Sequence, residues 1–295
     1  MAAQISTRRA WWIALRPFSY PASIVPVLVG TAVAADERFR PLLFVLALAG
    51  SVLIQAGTNL ATDFFDFTDG VQPGATLGGV IQRGLISARA VHEAAFAAFA
   101  GGAICGIVIV LYTGWAVLAV GLASVLAGYF YTAKPIAYGR KGLGEVMVFV
   151  FMGVLAVMAA AYVQTARFSW EAFAASLPVA LLVADILHAN NLRDIDNDRR
   201  RNKITLAGIA GRPLADYGWY AMTYGAFVCV SGAVIAGVLP PTSLLALLAV
   251  PSAWSAGKAL EHADPQGLNA LVRATASLHL RFGLLLALGL LIAVA

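Results

Sequence analysis

The sequence predicts an all-α membrane protein: nine transmembrane helices in one bundle, with a cytoplasm-facing cavity. Three observations carry this. Hydrophobic residues fill 60% of the 295 positions and charged residues only 12%, about half the charge of an average soluble domain. Apolar runs of membrane-spanning length recur along the whole chain. Lys and Arg collect in alternate connections between those runs.

The runs fall at 18–34, 42–60, 94–112, 114–132, 143–163, 172–190, 218–238, 242–257 and 279–295, several of them interrupted by Gly or Pro. With the N-terminus placed in the cytoplasm, Arg38, Arg40 and Arg167 stand outside, and the other 17 of the 20 basic residues lie inside. That asymmetry predicts an inside N-terminus and an outside C-terminus, in the inner (cytoplasmic) membrane. The inner loops, 61–92, 133–142, 191–217 and 258–278, are long, and outer turns such as Pro240-Pro241 are short. Residues 1–295 therefore read as a single polytopic domain without a soluble appendage. The basic residues are spread over many loops, which argues against a nucleic-acid partner. Cys105 and Cys229 lie inside apolar runs and are expected to stay unpaired. Arg8-Arg9 and Ala32-Val33-Ala34 imitate a cleaved leader, but Pro17, Pro21 and Pro26 interrupt the run between them, so retention is expected.

Two acidic clusters end the second and sixth runs. One holds Gln55, Asn59, Asp63, Asp66 and Asp69; the other holds Asn190, Asn191, Asp194, Asp196 and Asp198. Carboxylates beside hydrocarbon are costly and mark function. At 100° per residue, Gln55, Asn59, Asp63 and Asp66 share an arc of about 80°, and Asn190, Asn191, Asp194 and Asp198 one of about 100°. Each helix thus presents a polar stripe. Asp196 and Asp185 point elsewhere. Such hard oxygen ligands suit Mg²⁺, and Mg²⁺ suits a phosphate-bearing substrate. The plain alternative is a helix surfacing into water, which explains one stripe better than two.

Two loops add cations. Residues 70–84 are glycine-rich and carry Arg83, a candidate diphosphate contact, although the spacing is not that of a P-loop. Residues 129–145 carry Tyr131, Lys134 and Tyr138, a set able to hold a phosphate or an anionic aromatic ring; an interfacial aromatic belt is the alternative. His188 reads as a core residue or a supporting partner of the second stripe. His92, His262 and His279 form no zinc spacing.

The chain resembles the UbiA superfamily of intramembrane aromatic prenyltransferases, closest to the branch that prenylates 1,4-dihydroxy-2-naphthoate for menaquinone. The resemblance runs the whole length. It is carried by Asn59-Leu-Ala-Thr-Asp63-Phe-Phe-Asp66, Val80-Ile-Gln82-Arg83-Gly84, Tyr131-Thr132, Gly142-Leu-Gly144-Glu145 and Asn190-Asn191-Leu-Arg193-Asp194-Ile-Asp196-Asn-Asp198. The second motif is met by Asp194 and Asp198. The first departs: Phe67 stands where a last Asp belongs, and Thr62 replaces the Asn usual before the first Asp.

The resemblance implies a Mg²⁺ cofactor held by Asp63, Asp66, Asp194 and Asp198, with Asp69 a further candidate. It implies a polyprenyl diphosphate contacted by Asn59, Arg83, Lys134, Asn190, Asn191, Arg193 and Lys203. An aromatic acceptor would lie near Arg16, Tyr131 and Tyr138, and the isoprenoid tail would run towards lipid. Acceptors such as 4-hydroxybenzoate or homogentisate are the alternatives. A CDP-alcohol phosphotransferase also uses membrane Asp pairs, but Asp69-Gly70 continues as Val-Gln-Pro-Gly rather than its motif. A cation transporter needs polar residues through the membrane, whereas the polar sites here lie at one face.

Overall fold

The computed structural model describes residues 5–70, 79–261 and 265–294. Regular structure among them is helical, apart from one isolated parallel bridge between Lys141 and Ile204. Helices α1 (Thr7–Leu15) and α2 (Pro21–Val33) form a bent pair, 45° apart. Arg16 turns the chain with φ 51°, and Pro17 and Pro21 each open a new helical segment, where a missing N–H costs nothing. Next come α3 (Pro41–Thr68), α4 (Ala88–Thr113) and α5 (Trp115–Phe130). Gly114, at φ 90°, separates the last two, a conformation a side chain would resist. Helices α6 (Gly144–Val148) and α7 (Ala156–Thr165) are joined by a π-helical stretch at Phe149–Leu155 into one span. Then follow α8 (Trp170–Arg200), α9 (Leu206–Ala210), α10 (Arg212–Ile235), a 3-10 stretch leading into α11 (Val250–Glu261), and α12 (Pro265–Ile292). Ser169 caps α8 by accepting from Ala172 N at 3.0 Å.

Among the described residues, seven helical units are long and apolar enough to cross a bilayer, and the α1–α2 pair makes eight if its bend lies within one crossing. The expected run at 114–132 lands on α5, whose 16 residues fall short of the usual span. The run at 18–34 contains the bend, which falls between Ser19 and Pro21. The other seven expected runs each fall on one of the long units.

Helix α8 is the axis of the molecule. Its apolar stretch is 72% buried, against 22% for α3 and 28% for α4. It packs against α2, α7, α10, α12 and the π-helical stretch. Val25 and Val29 of α2, Leu182 of α8, Val230 of α10 and Phe282 and Leu286 of α12 make the main core. Between membrane helices, close approach of small residues supplies attraction that hydrophobicity cannot. A Cβ on Gly153 would lie 2.2 Å from Ala180 Cβ, and one on Gly30 would lie 2.2 Å from the Val157 carbonyl. Backbones therefore touch where α2 meets α7 and where the π-helical stretch meets α8. Outward faces show Leu111, Trp115 and Ile235. Cys105 and Cys229 are free, as expected.

Candidate active site

A cavity of about 890 Å³ lies between α2, α3, α4, α5, α7 and α8. One end is apolar, walled by Leu46, Ile109, Val117, Leu122 and Val163. The other is polar, ringed by Arg16, Asp66, Arg140, Asn190, Arg193, Asp194, Asp198 and Lys203. Both acidic stripes open onto that polar end, because α3 and α8 each leave their apolar stretch there.

The first stripe is fixed from both sides. Asn59 Nδ2 donates to the Leu15 carbonyl at 3.0 Å and to Ser19 Oγ at 3.1 Å, pinning the α1–α2 turn to α3. That turn delivers Arg16 onto Asp63 Oδ1. Asp63 is 1% exposed, and its Oδ2 is buried without a hydrogen-bond partner. One turn on, the Arg140 fork donates to Asp66 Oδ1 at 2.7 Å and to Asp69 Oδ2 at 2.5 Å. Lys134 Nζ adds a contact to Asp69 Oδ1 at 2.9 Å. Thr62 and Thr132 hydroxyls meet at 3.0 Å.

The second stripe carries its own cations. Arg193 Nη2 donates to Asp194 Oδ2 at 2.7 Å and to Asn190 Oδ1 at 2.6 Å, and its Nη1 reaches Asn269 Oδ1 on α12 at 3.3 Å. Lys203 Nζ donates to Asp198 Oδ2 at 2.9 Å. Asp196 is exposed, off the stripe as geometry required. Asp185 faces the opposite side of α8 and accepts from Thr223 Oγ1 at 2.5 Å.

Five carboxylates therefore hold cationic partners, and the polar end is close to electrically balanced. Burial penalises the Asp69 carboxylate, but hydrogen bonds from Lys134 and Arg140 outweigh it and hold its carboxyl below the usual range. Burial likewise opposes the Arg140 charge, and its bonds to Asp69 and the field of Asp66 more than restore it, raising its pKa. Burial pushes the Tyr138 hydroxyl up to about 12, and it stays a donor, to the Ala127 carbonyl at 2.8 Å. Among the described residues no three metal-binding side chains form a ready cage, because each carboxylate is drawn to a cation instead. The donor set nonetheless fits a hard divalent ion. It is all oxygen, neither cysteine lines the cavity, and Asp63 keeps a buried oxygen unpartnered.

Of the residues singled out in the sequence, Arg16, Asn59, Asp66, Tyr131, Tyr138, Asn190, Arg193, Asp194, Asp198 and Lys203 line the cavity. Asp63, Asp69 and Lys134 are joined to it through their ion pairs, and Asn191 lies on α8 off the cavity wall, bonded to Glu145. Arg83 is exposed and does not line the cavity. Loop residues 71–78 and His262 lie outside the described residues. Two residues escaped the sequence reading, Arg140 and Asn269, and Glu145 entered it only as part of a resemblance motif, with no role assigned. Arg140 had a signal, a lone Arg amid small and aromatic loop residues, but no periodicity tied it to α3.

A profile described as the UbiA prenyltransferase family matches residues 23–271. The 1,4-dihydroxy-2-naphthoate octaprenyltransferase of Bacillus subtilis (strain 168) is 32% identical over 285 residues, covering 95% of this chain and 92% of that protein. The protein of the same name from Mycobacterium tuberculosis (strain ATCC 25618 / H37Rv) is 34% identical over 254 residues, covering 83% and 84%. Among solved structures, a UbiA homolog from Archaeoglobus fulgidus bound to GPP and Mg²⁺ superposes with TM-score 0.66 at 16% identity, covering 94% of this chain and 99% of that one. A UbiA homolog from Aeropyrum pernix K1, in its apo form, gives 0.65 at 17% identity, covering 94% and 97%. The fold is shared with both.

Proposed function

Since the chain belongs to the UbiA prenyltransferase family and is thereby an integral-membrane aromatic prenyltransferase, we propose that it transfers a polyprenyl group from polyprenyl diphosphate to 1,4-dihydroxy-2-naphthoate, giving demethylmenaquinol, the two-electron-reduced form of demethylmenaquinone, with release of diphosphate and CO₂. The observation that carries this is one cavity with two unlike ends. The charged end suits a diphosphate, and the apolar end suits an isoprenoid. The acceptor follows the Bacillus and Mycobacterium relatives, which are named for it. We read 1–295 as one domain of nine crossings, counting the bent α1–α2 pair and α5, in the inner membrane with the N-terminus and the charged end cytoplasmic.

In this reading Asp63, Asp66, Asp194 and Asp198, with Asp69, hold Mg²⁺. The metal supplies Lewis-acid neutralisation of the leaving diphosphate. Arg140, Arg193, Lys203 and Lys134 turn from their carboxylates to diphosphate oxygens, since charge-assisted bonds are the strong ones. Asn59 keeps the α1–α2 turn in place, and Asn190 holds Arg193. The C–O bond to the diphosphate breaks with its electron pair leaving on oxygen. Apolar walls keep water from the allylic cation. The acceptor's carboxylate-bearing ring carbon, held beside the Tyr131–Tyr138 pair at the cavity wall, attacks the cation, and the carboxylate, steered by Arg16, departs as CO₂, leaving its bonding electron pair to restore the ring.

Purified protein in proteoliposomes, given one prenyl diphosphate and each acceptor in turn, tests the reading. The naphthoate should have the highest kcat/KM, its product should lack the carboxylate, and EDTA should abolish diphosphate release. A one-ring acid turned over best, or a product retaining its carboxylate, refutes the acceptor while leaving the prenyltransferase class intact. Undiminished release in EDTA refutes the metal.

A further inference from the structure

One buried carboxylate has no part in that scheme. Glu145 is the second residue of α6 and 3% exposed, and it does not line the cavity. Its Oε1 accepts from Asn191 Nδ2 at 2.9 Å and lies 3.5 Å from His188 Nδ1. His188 is held in turn at 2.8 Å from the Ala215 carbonyl of α10. Glu145 Oε2 is buried with no partner. Burying a carboxylate costs several kcal/mol and returns stability poorly, so geometry is the better reason for its presence.

Asn191 passes that geometry on. Its Oδ1 accepts from Lys203 Nζ at 3.3 Å, and Lys203 holds Asp198. The same short stretch of chain is tied at two further points. Gly142 N donates to the Ile204 carbonyl at 2.9 Å, and Ile204 N donates to the Arg140 carbonyl at 3.0 Å. Arg140 grips Asp66 and Asp69. Residues 140–145 thus touch the first stripe at one end, the 203–204 loop in the middle and α8 at the other end.

We infer that Glu145 is a positioning residue: through Asn191 it sets where Lys203 and Asp198 stand relative to Arg140 and Asp66, and so the gap across which an anionic diphosphate is gripped. This rests on reading the cavity's charged end as the diphosphate site. Glu145→Asp keeps the charge but retracts it by one methylene. Glu145→Gln keeps the reach and an acceptor oxygen for Asn191.

The test measures binding of a non-ionising prenyl thiolodiphosphate by calorimetry with Mg²⁺, both KM values, and thermal unfolding in detergent. Glu145→Asp and Glu145→Ala should each weaken analogue binding about tenfold, the scale seen when a supporting partner of a binding group is lost. KM for prenyl diphosphate should rise alike, with the acceptor KM within about twofold. Glu145→Gln should bind within about threefold of the parent. Parent-like binding by the Asp and Ala variants overturns the inference. So does a loss shared equally by both substrates and matched by a fall in unfolding temperature, which marks a role in the fold alone. A Gln variant as weak as the Ala variant also overturns it, by making charge the requirement. Should Glu145→Ala not fold, the Asp and Gln pair decides. If the parent itself neither binds the analogue nor turns over, the site reading has failed; with an active parent and unaffected variants, only the positioning role has.

Discussion

Replacing Arg140 by Ala removes a fork that holds two carboxylates of the first stripe, at 2.7 and 2.5 Å. Hydrogen bonds to charged groups contribute roughly 1.5–3 kcal/mol each. The two share one guanidinium that is 20% exposed, so they are neither additive nor fully shielded, and about 3 kcal/mol is a reasonable discounted total. Lys134 still neutralises Asp69 after the change, whereas Asp66 loses the partner recorded for it. If that interaction passes to the leaving diphosphate in the transition state, its loss lowers kcat/KM for prenyl diphosphate about a hundredfold. Arg140→Lys restores the charge but not the fork and should recover only part of the loss. The assay is initial-rate prenyl transfer by purified protein, with the diphosphate varied at saturating acceptor and Mg²⁺. An Arg140→Ala enzyme within about threefold of the parent, or a Lys variant equal to it, refutes the argument.

Asp194→Ala should slow turnover about a hundredfold or more, because it strips a carboxylate from the cavity wall. Asp196→Ala, on the exposed side of α8, should leave turnover unchanged, and equal losses in the two would undo the stripe assignment. Gly153→Leu must push its side chain into Ala180, whose Cβ is 2.2 Å from where the new Cβ falls. It should cost roughly 1–3 kcal/mol or more, read as a lowered unfolding temperature in detergent, and an unchanged melt would mean that the close approach of α8 to the π-helical stretch is wrong.

The parts legible in the sequence were those written as periodicity. The two stripes were found because Asn59, Asp63 and Asp66, and Asn190, Asp194 and Asp198, recur at helical spacing. The same arithmetic put Asp185 on the far side of α8, where it meets Thr223. Helix breaks were legible as residue types and not as shapes. Pro17 and Pro21 were visible, but the 45° bend they allow, and the delivery of Arg16 onto Asp63, depend on Asn59 reaching the Leu15 carbonyl across 44 positions. Long-range loop contacts left no trace. Arg140 lies 74 residues from Asp66 and Asn269 lies 76 from Arg193, and nothing in either local pattern names the partner. Arg83 was read towards the diphosphate from its glycine-rich surroundings, yet the turn at 79–84 leaves it exposed and off the cavity wall.

The pairing of Asp63, Asp66, Asp69, Asp194 and Asp198 with Arg16, Arg140, Lys134, Arg193 and Lys203 bears on how such a protein is made. A carboxylate entering the bilayer unaccompanied is a penalty on insertion. Here each one finds its counter-charge within the same chain, so helix assembly need not wait for an ion to arrive. Proteins whose ligands have no such substitutes fold only when metal is supplied and come apart when it is withdrawn. With these internal counter-charges the two events separate: biogenesis can finish first, and a chelator that strips the proposed metal should leave the fold standing.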